Sequence, residues 1–135
     1  MLQPKRSKFR FSFRGRRKGV STRGTEISFG DYGLKALEHG WLAANQIESA
    51  RRTIAGALKK GGRIYVRVFP DKPITARAAG HRMGGGKGEI SKYVVVIKPG
   101  RVLFEIVGAT REAVMDGFGK AQSKLSFKTK IISKE

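Results

Sequence analysis

The stretch Asn45-Gln46-Ile47-Glu48-Ser49-Ala50-Arg51-Arg52-Thr53-Ile54-Ala55-Gly56-Ala57-Leu58-Lys59-Lys60-Gly61-Gly62-Arg63-Ile64-Tyr65-Val66-Arg67-Val68-Phe69-Pro70 changes period halfway along. In its first half Ile47, Ala50, Ile54, Ala55 and Leu58 recur at helical spacing, which predicts a helix starting near Asn45 and stopped by Gly61-Gly62. In its second half Arg63 to Phe69 alternates as a strand does. Pro70 ends that strand, because it has no N–H to give to a ladder.

Downstream, Lys92–Ile97 and Arg101–Val107 flank Lys98-Pro99-Gly100-Arg101. Pro fixes φ at the second turn position and Gly tolerates positive φ at the third, so these two strands are expected to form a hairpin. Thr110 is placed to cap a second helix running to about Leu125, with Val114, Met115, Phe118 and Leu125 on one side. Gly117 and Gly119 weaken that helix. A last strand is expected over Phe127–Ile132. Upstream, Glu26–Gly30 reads as a weak strand and Tyr32–Glu38 as a short turn of helix. Helices and strands mix without regular βαβ alternation, which gives a single small α+β domain with two main helices on a mixed or antiparallel sheet. The length of 135 residues, 39% of them hydrophobic, suits one modest core.

Lys and Arg number 29 against 10 Asp and Glu, a formal net charge of +19. A compact fold with that imbalance repels itself, so a polyanion is expected to supply the missing charge, nucleic acid before an anionic membrane. The excess is concentrated. Residues 1–24 hold Lys5, Arg6, Lys8, Arg10, Arg14, Arg16, Arg17, Lys18 and Arg23 and no acid, with Phe9, Phe11 and Phe13 interleaved. An edge strand is one reading of this segment. The one adopted is an extended basic arm, its guanidinium groups on phosphates and its rings anchoring it or lying against bases. Arg51 and Arg52, with Lys59 and Lys60, fall mainly off the apolar stripe of the first helix, as a solvated face or a second RNA contact.

Residues 70–91 are expected to form a long basic loop, since the roughly twenty residues between Phe69 and Lys92 have little apolar content. Lys72, Arg77, Arg82 and Lys87 have no acidic neighbour within Lys72–Gly88. In His81-Arg82-Met83-Gly84-Gly85-Gly86-Lys87-Gly88 the glycines remove side-chain bulk and admit a partner close to the backbone N–H groups. We read it as a basic finger reaching for phosphate.

Catalytic and cofactor chemistry finds no support. A P-loop needs Gly five residues before the final Gly-Lys pair and Ser or Thr after the Lys, whereas His81 precedes Gly86-Lys87 and Gly88 follows. Gly19-Val20-Ser21-Thr22-Arg23-Gly24 misses the spacing of a serine nucleophile elbow by one residue. His39 and His81 stand alone, so no metal is expected. His39 reads as a surface or capping residue at a helix end, and His81 as an RNA contact or a solvated side chain. The carboxylates are scattered singly near Lys or Arg, like solvated ion pairs. There is no Cys, hence no disulfide or thiolate chemistry. No apolar run reaches the length of a membrane span, and Met1-Leu2-Gln3-Pro4 opens without the amphipathic period of a transit peptide, so it is read as part of the mature chain.

Four motifs carry a family likeness: Met1-Leu2-Gln3-Pro4-Lys5-Arg6-Ser7-Lys8-Phe9-Arg10, Gln46-Ile47-Glu48-Ser49-Ala50-Arg51-Arg52, Arg67-Val68-Phe69-Pro70-Asp71-Lys72-Pro73-Ile74-Thr75, and Arg82-Met83-Gly84-Gly85-Gly86-Lys87-Gly88. In this order they resemble the bacterial-type large-subunit ribosomal protein L-sixteen family, and the likeness spans essentially the whole chain. The resemblance implies an α/β-hammerhead fold and a non-catalytic, architectural role without cofactor or small-molecule substrate, in the ribosome of a cytoplasm or an organelle matrix. Its implied partners are large-subunit rRNA, neighbouring large-subunit proteins and tRNA at the A site and the P site, close to the peptidyl transferase centre. The resemblance carries the Lys5 to Lys18 arm to rRNA, and together with the charge reading the expected rRNA contacts are Lys5, Arg6, Lys8, Arg10, Arg14, Arg16, Arg17, Lys18, Arg23, Arg51, Arg52, Lys72 and Arg77. Facing tRNA and the functional centre would be His81, Arg82, Met83, Gly84, Gly85, Gly86 and Lys87. The chain departs from the pattern at Phe11-Ser12-Phe13, where the family often has a basic or polar run, at Tyr93, where Trp is common, and at Gly85, where Lys is frequent. The competing classes are a nucleotide-dependent enzyme using the glycine finger and a free-standing regulatory RNA- or DNA-binding module.

Overall fold

The computed structural model describes residues 2–5, 19–59, 61–76 and 89–134. In chain order its elements are β1 (Tyr32–Ala36), β2 (Gly40–Ala43), α1 (Ala44–Leu58), β3 (Arg63–Val66), β4 (Lys72–Ala76), β5 (Glu89–Ile97), β6 (Val102–Val107), α2 (Arg111–Gln122) and β7 (Thr129–Ser133). The class is α+β. The strands divide into a four-stranded sheet of order β3-β6-β1-β7 and a three-stranded sheet of order β2-β5-β4, with every pairing antiparallel.

The first helix follows its sequence pattern: Ile47, Ala50, Ile54 and Leu58 are buried and Ala55 is half-buried. Its start is closed by the Gln46 side chain, which accepts a hydrogen bond from the Ala43 N–H at 2.9 Å. Lys59 (φ 58°) and Gly62 (φ 108°) then turn the chain out of the helix. At the start of α2, Thr110 accepts from Ala113 N–H at 3.3 Å, the cap its residue type foretells. The helix ends at Gln122 and buries Val114 and Phe118, whereas Met115 is exposed and Leu125 lies past its end. Gly117 has a packing reason: a Cβ there would stand 3.3 Å from Ala57 Cβ, so its absence lets the two helices approach closely. Around Gly119 there is open space.

Four expectations are corrected. Lys98–Arg101 is a turn, with Arg101 N–H donating to Lys98 O at 3.3 Å and Gly100 at φ 98°. The strands it joins are not a hairpin, however: β5 pairs with β2 and β4, β6 with β1 and β3, so the turn carries the chain from one sheet to the other. Tyr32–Ala36 is a strand, held between β6 and β7, and not a helical turn. Glu26–Gly30 is irregular. Finally, the segment read as a 70–91 loop contains β4 and the start of β5, paired with Ala76 opposite Glu89. Pro73 does not break β4, because β4 is an edge strand.

One core joins both sheets and both helices, with Leu34, Leu42, Ile54, Ile97, Phe104, Ile106 and Phe118 almost wholly removed from solvent. β6 lies at its centre. Five of its six residues, Val102 to Ile106, are buried, and one of them is the acid Glu105.

Candidate nucleic-acid interface

Of the residues expected to meet rRNA, Lys5, Arg23, Arg51, Arg52 and Lys72 are described. Arg6, Lys8, Arg10, Arg14, Arg16, Arg17, Lys18 and Arg77 lie outside the described residues, as do His81, Arg82, Met83, Gly84, Gly85, Gly86 and Lys87. What the structure does define is how the two basic segments are fastened.

Before residues 6–18, Leu2 packs against the hydrophobic core, in a hollow shared with Ala44, Asn45 and the Ile90–Tyr93 part of β5. After them, Gly19 O lies 2.7 Å from His39 Nε2, Ser21 N–H donates to Pro99 O at 3.0 Å, and Val102 N–H donates to Gly24 O at 2.7 Å. The two fastenings thus sit near opposite ends of β5, and His39 is an exposed residue between β1 and β2. Residues 77–88 in turn join β4 to β5 across the Ala76 and Glu89 pair. Both ends of each basic segment therefore spring from hydrogen-bonded or packed structure. Lys5 and Arg23 are exposed at these fastenings, and Lys72 lies 5.0 Å above the Trp41 ring at the far end of β4.

On α1, Arg51 and Arg52 both pair with Glu48. Arg51's hydrogen bond, opposed by partial desolvation and reinforced by the charges of Arg51 and Arg52, brings the Glu48 carboxyl down to about 2. The same pairing raises Arg51. These two cations therefore face a phosphate already partly neutralised.

The most constrained charge is Glu105. Its side chain is fully buried; Oε1 accepts from three consecutive backbone N–H groups, Ser28, Phe29 and Gly30, each at 2.9 Å, and Oε2 pairs with Arg67. Burial alone pushes this carboxyl up. The Arg67 hydrogen bond, then those from Gly30 and Phe29, outweigh it together and hold the group below the ordinary carboxylate range. Gly30 is required here, since a Cβ would stand 2.7 Å from Ile106 O. The anchored loop lays Phe29 on Tyr65 with ring centroids 5.3 Å apart and planes 26° from parallel. Arg67 lies 5.1 Å from the Phe29 ring, and Arg63 lies 5.6 Å from the Tyr65 ring.

The sequence reading missed this cluster and took the carboxylates as scattered singly, mostly near Lys or Arg, like solvated ion pairs. Two signals were present. Glu105 is the one acid in an otherwise apolar run, and Arg63, Tyr65 and Arg67 alternate as cation, ring, cation on one side of a strand. Among the described residues no group of three or more His, Asp or Glu side chains could hold a metal ion.

The profile of the family described as ribosomal protein L16p/L10e matches residues 4–132. The chain is 52% identical to the large ribosomal subunit protein uL16c of Gracilaria tenuistipitata, covering all of both chains. It is 50% identical to uL16 of Fusobacterium nucleatum subsp. nucleatum over all of this chain and 94% of that one. With uL16c of Trieres chinensis it shares 51% identity over 99% of this chain and 98% of the other.

Proposed function

The chain belongs to the ribosomal protein L16p/L10e family, and from that premise we propose that it packs large-subunit rRNA around its two basic segments and presents the Gly-rich one to tRNA. It is a structural constituent of the large ribosomal subunit, not an enzyme, and works within the ribosome of a cytoplasm or an organelle. The observation that carries the finer reading is a charge excess of +19 gathered largely in segments whose ends are fastened to a small domain. Lys and Arg displace counterions condensed on phosphate, so backbones that repel one another close up around the protein. Contacts of Arg6 to Lys18 and Arg77 with rRNA, and of His81 to Lys87 with A-site and P-site tRNA near the peptidyl transferase centre, belong to this proposal.

Two measurements test it. Neutralising on the order of eight phosphates gives a log-log salt slope of about −6 to −7 for binding to large-subunit rRNA, and a slope near zero contradicts the reading. Arg82→Glu should leave thermal unfolding unchanged while impairing subunit maturation or tRNA binding; normal assembly and translation would remove the Gly-rich segment from the account. Sucrose gradients separate the alternatives, because a free regulator does not stay with large subunits in high salt.

A further inference from the structure

We propose that the Phe29 and Tyr65 stack, flanked by Arg63 and Arg67, is a docking site for one unpaired base of large-subunit RNA, with the neighbouring phosphate held by Arg23 in the hollow that Arg67 borders. The proposal rests on the RNA-binding reading above and adds a site that reads bases to one that had only charge.

Phe29 is a large apolar side chain left 57% exposed, as are Val20, Leu37, Phe69 and Met115 to differing degrees. It is nonetheless held in place: the N–H groups of Ser28, Phe29 and Gly30 all converge on the buried Glu105, and the ring lies against Tyr65. An exposed ring on a loop this firmly pinned is prepared for a flat partner, since little ordering remains to be done when one arrives. The company it keeps selects the partner. Arg67 and Arg63 lie over the two rings, and aromatic faces interleaved with guanidinium planes are the surface on which unstacked bases lie.

The phosphate has its own place. A hollow of about 290 Å³ adjoins the stack, lined by Thr22, Arg23, Ser28 and Arg67 among others. Arg67 is common to the hollow and to the stack, so a base on Phe29 brings its own phosphodiester to the hollow's mouth. Glu26 also lines this hollow; its side chain is exposed. Glu105, beside the stack, is already engaged by Arg67 and three backbone donors.

The test compares two short single-stranded RNA probes, one with its bases and one abasic at its centre, the first carrying 2-aminopurine at that position. The full-length chain should prefer the base-bearing probe and quench its fluorescence. Phe29→Leu keeps the apolar volume but removes the π face, and should weaken binding of the base-bearing probe by roughly ten-fold, abolish the quench and leave abasic binding and the salt slope unchanged. Phe29→Trp should restore both preference and quench. Equal affinity of the unaltered chain for the two probes, or a Phe29→Leu variant that still quenches, overturns the docking site. Salt-sensitive binding without base preference would leave the charge-based reading standing while removing this one. If neither probe binds, both readings fall.

Discussion

Glu105→Gln replaces a buried carboxylate by an amide of the same shape, and the structure says what each atom loses. The remaining carbonyl can still accept from Ser28, Phe29 and Gly30, but as a neutral acceptor. Hydrogen bonds to charged groups contribute about 1.5–3 kcal/mol net against about 1 kcal/mol for neutral ones, so three weakened bonds lose roughly 1 kcal/mol each. On the other side the amide NH2 faces the Arg67 guanidinium, donor against donor. Breaking a fully buried pair costs about 3–5 kcal/mol. The Arg67 side chain is 19% exposed and regains some water, which brings that cost down to about 2 kcal/mol, so the two effects together should destabilise the fold by about 5 kcal/mol. With a urea slope of ~2 kcal/mol/M the unfolding midpoint falls by about 2.5 M. The pH dependence follows from the direction of the shift. Glu105 is held below its ordinary value of 4.5 in the folded protein, so its stabilisation is complete above that value and is lost as pH falls through the folded one. The gap between the wild-type and Glu105→Gln midpoints should therefore narrow in acid below about pH 4.5. A loss under ~1 kcal/mol at neutral pH, or a gap that widens in acid, refutes the anchoring role.

Glycine substitutions should split by place. Gly30→Ala drives a Cβ into Ile106 O and should cost about 2 kcal/mol, while Gly56→Ala, on the exposed side of α1 with nothing within 4 Å, should gain about 0.5–1 kcal/mol; urea midpoints moving the same way for both would contradict this. Glu48 should titrate near 2 by carbon-detected NMR and return towards 4.5 in Arg51→Gln. Because its pKa is lowered on folding, its contribution is present above 4.5 and disappears as pH falls towards 2. Glu48→Gln, by releasing Arg51 and Arg52, should tighten rRNA binding and steepen its salt slope, and an unchanged slope would exclude both arginines from the interface.

The helix α1 was legible because its apolar stripe and its glycine stop are local properties, and Thr110 announced α2 for the same reason. Pairing was not legible. Pro99-Gly100 states that the chain turns, not which strand it will lie against, and the choice was made by burial. With β3 and β1 on its flanks, the packed core beneath and the loop 28–30 over Glu105, β6 is one near-continuous apolar run without alternation. The strand β1 was misread because Leu34, Lys35 and Ala36 suit a helix equally well; its position between two other strands overrides that preference. At the candidate site, charge density pointed to the basic segments but said nothing of Phe29, whose role depends on a carboxylate more than seventy residues away along the chain.

The central position of β1 also bears on how the protein is made. Its two neighbours, β6 and β7, come from the last quarter of the chain, and the Lys134 N–H closes the sheet by donating to Asp31 O. Synthesis proceeds from the other end, so the four-stranded sheet cannot be complete before Thr129–Ser133 has emerged. A copy interrupted before Thr129 has no β7 and leaves β1 with an open edge, vulnerable to proteolysis and mispairing.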